Sequence, residues 1–131
     1  MKHPRLLRLR PWVVRAMIPD HVIGTYVLFR NGTEHYIGRS DTCLRRRLLR
    51  HCTTARGQYF TYDVHPTPEL AFAMECSLFH THRRHLANVV HPDRPDHQSP
   101  KCPFCLDTLV STLKDRLRSK DLRNCPNHTK G

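Results

Sequence analysis

The run Val22-Ile23-Gly24-Thr25-Tyr26-Val27-Leu28-Phe29-Arg30-Asn31-Gly32-Thr33-Glu34-His35-Tyr36-Ile37-Gly38 decides the fold. Val22 to Phe29 is rich in β-branched and aromatic residues, and Asn31-Gly32 supplies a tight turn before Thr33 to Gly38 returns. The segment reads as a β-hairpin. Two registers fit the residues. A two-residue Asn-Gly loop pairs Tyr26 with Ile37 and sends Tyr26 and Tyr36 to opposite faces. A three-residue loop, Arg30-Asn31-Gly32 with Gly32 left-handed in a bulge, places Tyr26 across from Tyr36.

Working outward, Ser40 or Asp41 can cap a helix with the stripe Leu44, Leu48, Cys52, ending near Thr53; Arg46 and Arg50 lie one turn apart on another face. Beyond Gly57, Gln58 to Val64 predicts a third strand. Thr67-Pro68-Glu69 then supplies an N-cap, an N1 proline and a first-turn acid, opening a second helix through about His85. Pro92, Pro95, Pro100 and Pro103 mark a boundary or a wrapped loop. Leu106, Leu109, Val110, Leu113 and Leu117 recur at helical spacing and predict a short amphipathic helix after Cys105. The expected organisation is a basic N-terminal arm over residues 1–20, a mixed domain over 21–90, and a Pro-rich linker and tail over 91–131.

The whole chain has 131 residues with 22 Lys plus Arg against 11 Asp plus Glu, a net charge of +11. That length accommodates one domain with a small appendage. With 38% apolar residues and a mean hydropathy of −0.60, a modest core is expected and a wholly disordered chain is not. No apolar run approaches the roughly 20 residues that span a bilayer. Trp12-Val13-Val14 is cut by Arg15, so no secretory signal is read and a reducing cytoplasm is the expected compartment. The charge points to an acidic partner, nucleic acid first, and 17 of the 22 basic residues are Arg, whose planar fork suits phosphate oxygens. Solvated faces are the plainer alternative.

On this frame lie Gly24-Thr25-Tyr26, then Tyr36-Ile37-Gly38 with Tyr36 ten residues after Tyr26, Arg46 ten residues further, His51 five beyond that, and Glu75 in an Ala-x-x-x-Glu context from Ala71. With these linked spacings the chain resembles the GIY-YIG nucleases over about Val22 to Asn88. The resemblance implies an α+β fold, a small three-stranded antiparallel sheet flanked by helices in the order β-β-α-β-α. It also implies hydrolysis of DNA phosphodiesters with one divalent ion, Mg²⁺. Carried onto this chain, it makes Tyr26 and Tyr36 the paired active-site tyrosines, Arg46 the phosphate-binding arginine and Glu75 the metal ligand. His51 takes a helper position, and Asn88 falls near an asparagine of the family. Thr25 stands where the motif has isoleucine, and a β-branched residue serves a strand equally well.

The residue types suit that chemistry. Water attacks an anionic phosphodiester productively only when its oxygens are neutralised and the water's proton is removed. Bringing a tyrosine from pKa 10 to about 7 takes roughly 4 kcal/mol, for which a nearby cation is a suitable source. Glu75, between Ala71 and Phe79 on a small, apolar side of its helix, needs a cation, either a metal or an arginine. Arg39, Arg45, Arg47, Arg50 and Arg56 are expected to track the DNA backbone. Which tyrosine is the base stays open. Because both must face one phosphate, the three-residue hairpin loop is the expected one. Alternatives are a nucleic-acid-binding module without activity, or a zinc-dependent adaptor.

Six cysteines divide between the helices (Cys43, Cys52, Cys76) and the tail. Cys102-Pro-Phe-Cys105 followed by Cys125-Pro-Asn-His128 presents two close ligand pairs, as a tetrahedral, structural Zn²⁺ requires. A competing set joins His91 or His97 to Cys102 and Cys105. His80, His82 and His85 receive no role.

Overall fold

The central strand of the sheet is buried along most of its length, which requires a layer on each of its faces. In the computed structural model, which describes residues 5–88, 90–105 and Leu113, the elements run β1 (Leu7–Arg8), α1 (Pro11–Met17), β2 (Ile23–Arg30), β3 (Thr33–Ser40), α2 (Leu44–Thr54), β4 (Tyr59–His65) and α3 (Pro68–His82). The fold is α+β. Its sheet has four antiparallel strands in the order β1-β4-β2-β3, not the three expected. The fourth comes from the stretch read as a basic arm. Leu7 and Arg8 pair with Phe60 and Tyr59, and Pro11 then opens α1 at its first turn. No helix among the described residues is long and apolar enough to cross a membrane.

Strand alternation separates two layers. Tyr26, Leu28 and Phe60 join Leu9, Val13, Val14 and Ile18 of the N-terminal segment and Leu44 and Leu48 of α2 in the main core. Arg39, across from Thr25, faces the other way and meets Phe72 and Glu75 of α3. The helix ends form much as their residues dictate. The Ser40 hydroxyl accepts the Cys43 N–H at 2.9 Å ahead of α2, and the Thr67 hydroxyl accepts the Leu70 N–H at 3.2 Å in α3. The amphipathic helix expected from Leu106 lies outside the described residues, apart from Leu113.

The hairpin corrects both registers considered. Asn31 (φ 52°) and Gly32 (φ 79°) are both left-handed, and Arg30 pairs with Thr33, so the loop has two residues rather than three. The ladder then shifts: Phe29 pairs with Glu34, but Leu28 pairs with Tyr36, leaving His35 as the extra residue of a bulge. Tyr26 therefore faces Gly38, neither Ile37 nor Tyr36. Tyr36 stands opposite Leu28, two residues from Tyr26, so the tyrosines share a face by a diagonal route.

Because Val14 is fully buried while Trp12 is 70% exposed, Val14→Ala is expected to cost about 2 kcal/mol of unfolding free energy. Trp12→Ala is expected to stay within about 0.5 kcal/mol of wild type. Urea titration measures both, and equal effects would place the N-terminal helix outside the cooperative core.

Candidate active site and a neighbouring cysteine-histidine cluster

Two strands and one helix bring four side chains together. Tyr26 from β2 and Tyr36 from β3 stack at 6.4 Å between ring centroids, and the His51 ring of α2 lies 5.2 and 5.3 Å from them. The Tyr26 hydroxyl is 2.6 Å from His51 Nε2. Arg47, one turn before His51, brings its guanidinium charge to bear on both tyrosines. Gly38 makes room for this, since a Cβ at that position would collide with the Tyr26 ring and hydroxyl.

Arg46, picked out by its spacing from Tyr36, is not the arginine that α2 turns toward the tyrosines. Successive helical residues are turned by about 100°, and the buried stripe Leu44, Leu48, His51 points into the fold. Arg47, three after Leu44 and four before His51, shares that side. Arg46 is exposed and bonds only locally, donating to the Thr42 hydroxyl at 3.3 Å.

Electrostatics follow from burial. Burial raises the Tyr26 phenol above the ordinary tyrosine range, although Arg47 pulls it back. Burial, followed by the charges of Arg47, Arg56 and Arg50, lowers His51 to about 4, so its ring is neutral near pH 7. The nearby Arg47 guanidinium has only donors, so the Tyr26 O–H is directed to the neutral His51 Nε2 as its acceptor. That is a ready proton path.

Glu75 approaches from α3. It lines a polar cavity of about 320 Å³ with Arg47, Arg39, Ser40, Asp41, Thr42 and Asp93. Burial raises its carboxyl to about 7, opposed by Arg39 and, more weakly, Arg47. Arg39, expected to track a DNA backbone, is instead nearly buried. Its Nη1 donates to Glu75 Oε1 at 2.9 Å and to the Asp93 carbonyl at 2.8 Å, and its Nε donates to Asp41 at 2.7 Å. Of the other expected backbone-tracking residues, Arg45 pairs with Asp20 at 3.2 Å, Arg56 lies over the Tyr36 ring at 4.6 Å, and Arg50 is exposed. The Asn88 amide is taken up by the backbone of Ile37, next to Tyr36: it accepts the Ile37 N–H and donates to the Ile37 carbonyl, both at 2.8 Å.

Next to this site, His80, His91, Cys102 and Cys105 place their ligand atoms within 4.8 Å of one another, a set that could hold a metal such as zinc. Cys102, Cys105 and His91 belong to ligand sets read in the sequence. His80 was missed, and the exposed His97 is not part of the group. Cys125 and His128 lie outside the described residues. Comparison of the chain with models of known protein families, with curated proteins and with solved structures finds no match.

His51 should leave a signature in stability. Its lowered pKa means that the unfolded chain binds a proton in the window from 6.5 down to about 4 that the folded chain refuses. Its contribution is thus complete above 6.5 and lost as the pH falls through that window. His51→Gln is expected to take up about one proton fewer on unfolding near pH 5, as read from the pH dependence of urea unfolding. An unchanged slope would mean that His51 is not held neutral.

Proposed function

We propose that the chain is a Mg²⁺-dependent endonuclease that hydrolyses DNA phosphodiesters, with the cavity between Arg47 and Glu75 receiving the scissile phosphate. One observation carries this reading. Arg47 joins two groups of residues, acting electrostatically on the paired tyrosines while lining the same cavity as Glu75. The resemblance to GIY-YIG nucleases points the same way, with Arg47 taking the part first given to Arg46.

The residues suit Mg²⁺. The cavity gathers hard oxygen donors, Glu75 and Asp41 with Ser40, Thr42 and Asp93, and Mg²⁺ takes one or two carboxylates beside phosphate oxygens and water. Glu75, with Asp41 beside it, would hold the ion. Bound there, it supplies charge neutralisation at the phosphoryl oxygens. Arg47 supplies the second cation, fixed before the substrate arrives. Tyr26 takes the attacking water's proton while its own passes to the neutral His51 Nε2. Tyr36, held by Arg47 and covered by Arg56, orients that water. Exposed Arg46, Arg50 and Arg56 are left to follow the DNA backbone, whose negative charge is opposite to the +11 of the chain.

Nicking of supercoiled plasmid with Mg²⁺ tests the proposal. Arg47→Ala and Glu75→Gln are each expected to slow nicking by about 10²- to 10³-fold. Arg46→Ala is expected to stay within about threefold of wild type, as for a surface phosphate contact. Wild-type protein that binds the plasmid without nicking it would leave a nucleic-acid-binding module and end the enzyme reading.

The pH dependence follows from Glu75. A carboxyl raised to about 7 is mostly protonated below that pH and binds the ion only after losing the proton. At limiting Mg²⁺, nicking should therefore fall about tenfold per pH unit below 7 and recover with added Mg²⁺. A profile already flat at pH 5 would remove Glu75 from the metal.

A further inference from the structure

Two histidines and two cysteines converge from three separate parts of the chain: His80 from α3, His91 from the segment after it, and Cys102 and Cys105 from the Pro-rich stretch. We propose that His80, His91, Cys102 and Cys105 bind one Zn²⁺, and that this ion clamps residues 91–105 onto α3 and so holds Arg39 against Glu75. The binding site does not depend on the chain being a nuclease.

The distances favour a bound ion over a chance cluster. Bond lengths of about 2.0–2.1 Å for Zn–N and 2.3 Å for Zn–S in a tetrahedron require edges of about 3.3 Å between nitrogens and about 3.5 Å between nitrogen and sulfur. His80 Nε2 lies 3.3 Å from His91 Nε2, 3.5 Å from Cys102 Sγ and 3.6 Å from Cys105 Sγ, and Cys105 Sγ lies 3.3 Å from His91 Nε2. Four of the six edges thus have tetrahedral length.

The surroundings orient the ligands. His91 Nδ1 is 2.7 Å from the Pro92 carbonyl, which fixes the proton on Nδ1 and leaves the Nε2 lone pair for a metal. The Phe104 N–H points at Cys102 Sγ from 3.4 Å, a donor suited to a thiolate. Phe79 packs its ring at a steep angle against both imidazoles.

Apolar burial does not explain why residues 91–105 stay in place. The core beneath them is small, Phe72, Cys76 and Cys102 with Cys105 packed against it, while Phe104 is 45% exposed and Val90 just ahead is 73% exposed. A structural metal supplies what that core lacks. The consequence reaches the cavity two residues beyond His91, where the Asp93 carbonyl receives Arg39 Nη1 at 2.8 Å, the same nitrogen that pairs with Glu75. Asp93 and Arg39 are positioning residues.

The full chain, purified without chelator, is expected to hold one zinc, with two nitrogen and two sulfur neighbours by X-ray absorption. Cys105→Ser should weaken zinc retention against a competing chelator by about a hundredfold. The double variant Cys125→Ser, His128→Ala should retain zinc like wild type, and Cys76→Ala should do the same. Should Cys105→Ser fail to fold, the neighbour count on wild-type protein still decides. Removing zinc should speed amide exchange across residues 92–99 while β2 and β3 keep their protection. A chain without zinc, three sulfur neighbours, or zinc lost with Cys125 and His128 would overturn the site. Unchanged exchange at 92–99 would overturn the clamp.

Discussion

In β3 one residue, His35, has no partner across the hairpin, and every residue after it is turned to the other face of the sheet as a result. With an unbroken ladder from the Asn31-Gly32 turn, Tyr36 would pair with Val27 and point away from Tyr26. Arg39 would likewise leave the side on which α3 carries Glu75. The bulge reverses both at once. It brings the second tyrosine to Arg47 and His51, and gives Glu75 its guanidinium partner. The arrangement of charge around the cavity thus rests on a single inserted backbone unit.

The charges are balanced rather than simply paired. Tyr26, His51 and Glu75 each lose hydration, which raises the two acids and lowers the base. Arg47 opposes the shift of both acids and reinforces that of His51. The result holds the Tyr26 phenol and the His51 imidazole neutral over a wider range around pH 7 than solvated groups of their kind, and brings Glu75 to about 7.

Much of this was legible in the sequence. The hairpin followed from Asn31-Gly32, α3 from Thr67-Pro68-Glu69, and the inward side of α2 from Leu44 and Leu48. What escaped notice was geometry that residue counting does not carry. A bulge changes register without a distinctive residue type, because His35 is an ordinary polar residue at the strand surface. Distance along the chain from Tyr36 picks Arg46, whereas facing is set by rotation about the helix, and the stripe Leu44, Leu48, Cys52 does not separate Arg47 from Arg45 until His51 is seen to be buried. β1 has only two residues, too few for a periodic signal. His80 lies 22 residues before Cys102, beyond the reach of a short ligand motif, and only the return of the chain across α3 unites them.

Asn88 adds a different consequence. β3 is the last strand of the sheet, so its outward backbone groups are open to pairing with another chain. The Asn88 amide takes both the N–H and the carbonyl of Ile37, and the Ala87 N–H takes the His35 carbonyl at 2.6 Å, as a short additional strand would. The far margin, β1, is two residues long and carries Arg8. With both margins blunted in this way, the sheet of the described residues offers little template for edge-to-edge pairing, so copies of a chain carrying a charge of +11 have two barriers to zipping together, charge repulsion and closed edges.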